Sequence, residues 1–198
     1  IIGGLARLLL KTPNPRQNYL EYLDGIIDAA QRIERIATAV NEYSQIQAGQ
    51  RILTPARDIL AEARAAGEDA AARLGLAAHW EILGEDCVFL ADPALLVLAA
   101  REVAVNAVEA LPAGGGRVRL TAMSGPQGSA MVIEDDGKGI PEEERQFVMD
   151  PFYTTKSVGV GMGLTRAQRA MQEQGGSIVL DSGPEGTRVT LSLPPSAA

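Results

Sequence analysis

The 198-residue chain has a single cysteine, Cys87, so no disulfide can close within it and a reducing compartment is expected. It has a single histidine, His79. No apolar run approaches the ~20 residues of a membrane-spanning helix. Nor is there the basic n-region of a secretory signal. Positive charge is scarce: 18 Lys and Arg against 25 Asp and Glu give a net charge of -7. That balance excludes a general nucleic-acid-binding surface, which needs a basic footprint, but leaves room for a nucleotide site, where a few local donors decide. Repeats and low-complexity runs are absent. The chain opens on Ile1, directly in an apolar helical pattern, and reads as a piece of a longer protein. This piece is expected in the cytoplasm, while the rest is free to carry membrane spans or sensor domains.

What is present is enough to build a core, with 46% hydrophobic residues. Residues 1 to 50 are helical in pattern. Ile2, Leu5, Leu8 and Leu9 suit a short amphipathic helix, which Thr12-Pro13-Asn14-Pro15 breaks. A second helix starts near Gln17. Its apolar residues Tyr19, Leu23, Ile26, Ala30, Ile33, Ala37 and Val40 alternate in steps of four and three, a heptad seam, and Ile27 and Ile36 widen the face. Two readings stand open on this pattern: a hairpin docked on its own domain, or half of an intermolecular four-helix bundle.

From Arg51 the pattern changes. A helix is expected over 55–74, strands over 77–83 and 87–91, and a helix from Pro93 to about Leu111 with Asp92 as its N-cap. Strands over 117–123 and 129–134 flank a Gly125-Pro126 turn, and a glycine-rich irregular stretch runs from 135 to 163. A helix over 164–174 is stopped by Gly175-Gly176, and strands over 177–181 and 187–193 close the chain. Mostly hairpin-joined strands with helices imply an α+β, two-layer sandwich on a mixed sheet.

Three places carry possible chemistry. Asp135, at the end of an apolar strand and followed by Gly137 and Gly139, can accept a hydrogen bond from an exocyclic amine such as that of adenine, with bare backbone beside it. Taken alone, Asp-Gly is an ordinary hairpin turn. Gly159, Gly161 and Gly163 precede a helix and would expose N–H groups to an anion, with Lys156 as a point charge after Thr154 and Thr155. A flexible linker with a solvated lysine is the bland alternative. Glu102 and Asn106 lie four apart on a helix beside an apolar stripe. Asn106 offers a neutral oxygen to Mg²⁺, and Glu102 a carboxylate that could orient or deprotonate a nucleophile.

The combination and order of these elements, with Gly186-Thr187 in the last hairpin, resemble the ATPase fold of sensor histidine kinases, type II topoisomerases and the ninety-kilodalton heat-shock chaperones. The likeness covers about residues 51–194 and is strongest to sensor histidine kinases. "ADPALLVLAAREVAVNAVEALP" looks like their N box, "IEDDGKGIP" like their first glycine box, "VMDPFYTTKSVGVGMGL" like a Phe box, short lid and second glycine box, and "GPEGTRVTLSLP" like the last box. The resemblance implies that Asn106 ligates Mg²⁺, that Asp135 accepts from adenine and that Thr187 reaches it through water. Gly137, Gly139, Ile140, Thr154, Thr155, Lys156, Gly159, Gly161, Gly163 and Leu164 would line the nucleotide, with Glu102 and Lys156 as catalytic candidates. It implies a lid over about residues 141–162, of the nitrogen-regulation type. It divides the chain into a partial dimerisation and phosphoacceptor hairpin over 1–50 and a catalytic ATP-binding domain over 51–198, and favours a homodimer through the hairpin.

The implied activity is transfer of the ATP γ-phosphate to a histidine and onward to the receiver domain of a response regulator. Three positions depart from the pattern. Glu102 stands where many histidine kinases have Asn, Met149 replaces the first Phe of the Phe box, and the acceptor histidine motif is missing. "IIGGLARLLL" looks like the segment after that motif, and His79 lies in an expected strand, so autophosphorylation of this chain is not expected. An ATPase or Ser/Thr kinase of the same fold, and a nucleotide-binding dimerisation module without catalysis, are the rival readings.

Overall fold

The computed structural model describes Gly4 and residues 19–126, 128–156 and 159–195. The chain divides into two compact units, Ile1–Gln45 and Ile46–Ala198. In the first, the seam forms one long helix, α1 (Tyr19–Ser44). Ile27, Ile33 and Val40 remain 50%, 57% and 45% exposed on it. The expected short helix over Ile2 to Leu9 and the break after it lie outside the described residues.

The second unit begins with a strand that the sequence reading missed. β1 (Ile52–Pro55) pairs antiparallel with β3 (Val88–Ala91), and the two make a separate small sheet. At four residues ending in proline, β1 leaves little pattern to read. Pro55 then precedes α2 (Ala56–Leu74), which Gly75 ends in the left-handed conformation glycine tolerates, at φ 67°. β2 (Ala78–Leu83) does not pair with β3; it lies parallel to β4 (Gly116–Gly125). α3 (Pro93–Ala110) lies between β3 and β4 in sequence, and the Asp92 carboxylate caps it, accepting from the N–H groups of Ala94 and Leu95 at 3.0 and 3.2 Å.

The rest of the main sheet is built from two hairpins: β4 with β5 (Gly128–Asp135), and β6 (Ser177–Gly183) with β7 (Gly186–Leu193). The order is β2-β4-β5-β7-β6, and among the described residues only its β2–β4 pair is parallel, so the sheet is mixed as expected. The stretch read as irregular contains a one-turn helix, α4 (Glu142–Arg145), before α5 (Gly163–Glu173).

The sheet has one face for each layer. Val118, Leu120, Met131, Ile133, Val189 and Leu191 are buried with the helices. The other face carries a charged ladder, in which Arg119 meets Glu81 at 2.8 Å and Arg188 meets Glu134 at 2.7 Å. In the helical layer α3 packs against both α2 and α5. Its buried face, Leu95, Leu96, Ala99, Ala100, Val103, Ala104, Ala107 and Val108, follows the 3.6-residue period. Opposite it, α2 buries Ile59, Leu60, Ala63, Ala66, Gly67, Ala70 and Ala71. Gly67 admits the indole of Trp80, since a Cβ there would stand 2.3 Å from the ring. This packing fixes α3 beside the end of β5.

Candidate nucleotide site

Two clusters of expected residues form around the C-terminal part of α3. The first is at the end of β5. Asp135 is half-buried, and one of its carboxylate oxygens accepts from the Gly137 N–H at 2.9 Å. Burial raises its pKa to about 6, against the pull of the Gly137 and Thr187 backbone N–H groups, and Asp136 adds to the rise. Thr187 is its register partner on β7. The Asp-Gly pair is therefore not a hairpin turn. It leads into a loop that the Lys138 N–H ties to the Ala110 carbonyl of α3 at 3.1 Å.

The glycines have a tighter role than leaving room for a ligand. A Cβ on Gly137 would lie 2.5 Å from the Ala110 oxygen, and one on Gly139, at φ 64°, would lie 1.8 Å from the Gly183 oxygen. Both demands come from neighbouring backbone. Ser182, which the sequence reading missed, joins the parts of this cluster. Its hydroxyl accepts from the Ile140 N–H at 2.9 Å and lies 2.9 Å from the Thr187 hydroxyl. A serine on a half-buried strand gives no spacing signal, so nothing in the sequence marks it.

The second cluster lies where α3 meets the start of α5. Asn106 and Glu102 share a face of α3, and the first residue of α5, Gly163, packs on both. A Cβ on it would stand 2.9 Å from Glu102 Oε2 and 3.5 Å from Asn106 Nδ2. Glu102 also faces Arg166 of α5, 3.0 Å from its guanidinium. Lys156 Nζ donates to Asn106 Oδ1 at 3.1 Å and pairs with the carboxylate of Glu109, one turn further along α3. Arg166 and Glu109 are both additions to the expected set. Each is a charged residue on an amphipathic helix, which sequence alone reads as solvated surface.

The stretch leading to Lys156 is held at several points. The Thr154 hydroxyl accepts from the Lys156 N–H at 3.1 Å. Phe152, at φ 68°, donates its N–H to the Gly161 carbonyl at 2.9 Å. Phe147 and Tyr153 stack with centroids 5.9 Å apart. The Met149 carbonyl accepts from the Thr165 hydroxyl of α5 at 3.1 Å, so the backbone of the position that departs from the Phe-box pattern is anchored. Leu164 is half-buried in the first turn of α5, while Thr155 and Gly159 are exposed on the outer side. His79 is exposed on β2, which forms the sheet edge opposite β6.

Among the described residues no group of three or more His, Cys, Asp or Glu could hold a metal ion by itself. Asn106 Oδ1, which here accepts from Lys156, is a neutral oxygen of the kind Mg²⁺ takes, an ion that needs few protein ligands.

The model of the histidine kinase-, DNA gyrase B- and HSP90-like ATPase family matches residues 91–197, from the end of β3 through both clusters. The chain belongs to this family. Among relatives, the chain is 38% identical over 93 residues to the nitrogen regulation protein NtrY of Azorhizobium caulinodans, a span of 46% of this chain and 12% of that protein. It is 30% identical over 196 residues to the signal transduction histidine-protein kinase AtoS of Escherichia coli strain K12, covering 98% of this chain and 32% of AtoS. The chain thus spans a third or less of the length of these curated relatives.

Solved structures share the fold. The mycobacterial sensor histidine kinase MprB superposes at TM-score 0.60 with 24% identity over 76% of this chain and all of the other. Histidine kinase ThkA, solved in complex with the response regulator protein TrrA, reaches 0.69 with 21% identity over 98% of this chain and 57% of the other. No described helix is long and apolar enough to cross a membrane.

Proposed function

We propose that this chain is the ATP-binding catalytic part of a sensor histidine kinase, which passes the γ-phosphate of ATP to a histidine and from there to a response regulator. One observation carries the reading. A half-buried carboxylate, Asp135, is held by a glycine N–H beside Thr187, and its loop is tied to the helix that carries Asn106. Such a carboxylate calls for a neutral donor, and the exocyclic amine of adenine is one. A guanine base would bring an oxygen to the same place and be repelled.

In this reading Asp135 and Thr187 select the base, with Gly137, Gly139 and Ile140 forming the floor. Asn106 Oδ1 serves a Mg²⁺ ion, which supplies charge neutralisation at the phosphates. The N–H groups at the start of α5, from Gly163, face the anion with the helix dipole behind them. Lys156 adds a point charge. Positioning and neutralisation of this kind are most of what phosphoryl transfer asks of a protein. Glu102, paired with Arg166, joins α3 to α5 and is a poorer free base than its position suggests.

The relatives' names and the ThkA–TrrA complex support phosphotransfer to a receiver domain. The exposed Ile27, Ile33 and Val40 of α1 support a homodimer through that helix. Isothermal titration tests the site. The chain is expected to bind ATP with Mg²⁺, and Asn106→Ala to lose the Mg²⁺-dependent part of the affinity. With γ-labelled ATP, no acid-labile phosphoryl group is expected on His79. Unchanged Mg²⁺-dependent binding by Asn106→Ala, or a label mapped to His79, refutes the assignment.

A further inference from the structure

Lys156 reaches across to α3 and lands between two side chains three residues apart, Asn106 and Glu109, which share a helix face. The two partners differ in kind. Asn106 offers a neutral oxygen suited to a hard cation. Glu109 brings a full negative charge, with 30% of its side chain exposed, to the face where the proposed site would receive phosphates. In the structure the Lys156 ammonium cancels that charge and also occupies the oxygen assigned to the metal. A polyphosphate arriving without a cation would compete with Glu109 for Lys156 and meet an uncovered carboxylate. One arriving with a divalent cation would bring a charge that takes Asn106 Oδ1 and faces Glu109 in place of the lysine.

We infer that Glu109 is a positioning residue that stores Lys156 at Asn106 in the nucleotide-free chain and releases it to the phosphates only against a divalent cation, making nucleotide binding depend on the metal. This rests on the ATP-site reading. It assigns Glu109 no contact with the reacting atoms. Its effect is on the ratio of affinities with and without metal, which a purely structural role would not move.

The test compares the wild-type chain with Glu109→Gln. In EDTA, Glu109→Gln should bind ATP about threefold to fivefold more tightly than wild type, the scale of a part-exposed ion pair. The gain in affinity from added Mg²⁺ should shrink by the same factor. Trypsin cleavage after Lys156 in the nucleotide-free chain should be faster in Glu109→Gln, with cleavage after Arg145 unchanged. Lys156→Ala, which leaves Glu109 uncovered, should bind metal-free ATP more weakly than wild type. Equal metal requirements in wild type and Glu109→Gln, both binding Mg²⁺ and ATP, overturn the inference while leaving the ATP reading intact. Absence of binding by wild type with Mg²⁺ overturns both, and absence of binding by Glu109→Gln alone overturns the inference.

Discussion

Replacing Asp135 by Asn should make the nucleotide-free chain more stable while abolishing its response to ATP. In the folded chain Asp135 titrates near 6, raised by burial from an ordinary 3.8. The folded chain therefore holds a proton on this group, between those two values, that the unfolded chain has given up. Its favourable contribution is complete below the unfolded value and is lost as the pH rises through about 6. At pH 7 the ionised carboxylate weighs against folding. At about 1.4 kcal/mol per pH unit the gap is worth about 3 kcal/mol, which solvent reaching the half-buried group trims to about 2.

Asparagine keeps an oxygen for the Gly137 N–H and carries no charge. So Asp135→Asn should gain about 2 kcal/mol at pH 7, and the difference from wild type should fall to a few tenths of a kcal/mol at pH 4. ATP with Mg²⁺ at about a hundred times its dissociation constant should add about 2.7 kcal/mol to wild type and close to nothing to the variant, whose amide can turn a donor toward the adenine amine. Urea unfolding at the two pH values, with and without nucleotide, reads all of this, and other carboxylates cancel in the comparison. A variant no more stable than wild type at pH 7, or a difference that persists undiminished to pH 4, refutes the burial argument. Equal stabilisation of both proteins by ATP refutes the adenine contact.

Two further changes probe the frame that holds the site. Gly67→Ala should lower stability by about 1–3 kcal/mol in thermal or urea unfolding, against the direction of helix propensity, because the new methyl meets the Trp80 ring. Trp80, the chain's one tryptophan, should shift its fluorescence, and a gain in stability would show that the indole moves aside freely. Asp92→Ala should cost about 1–2 kcal/mol through loss of the α3 cap and of the Gly49 N–H that the same carboxylate accepts at 2.8 Å. Asp92→Asn should cost less, and equal costs for the two would argue against the cap.

Much of this fold is legible in the sequence because its signals are local. The Asp92-Pro93 start of α3, the glycine stop after α5 and the alternation in β4, β5 and β7 each need only a few neighbouring residues, and the elements lie where those signals put them. The failures concern relations between distant segments. β2 and β3 are short and adjacent in sequence, yet one pairs with β4 and the other with β1, strands that lie far along the chain from them. Asp135 and Asn106 stand out because each is unusual for its place, an acid at the end of an apolar strand and an amide in mid-helix. Ser182, Glu109 and Arg166 do not, because each is ordinary where it stands and acquires a role only from a side chain at least 5 positions away.

The buried face of α3 is half alanine, and it lies against a helix whose buried face is mostly alanine as well. Alanine has no rotamers, so these positions lose no side-chain entropy on folding and leave the interface less internal freedom to rearrange than leucines would. A leucine-rich contact can absorb a small displacement by a rotamer change; the alanines of this one cannot. α3 thus works as a stiff rail. Glu102, Asn106 and Glu109 keep their mutual spacing whatever happens around them, and a disturbance on the far side of α2 reaches all three together as one shift of the rail.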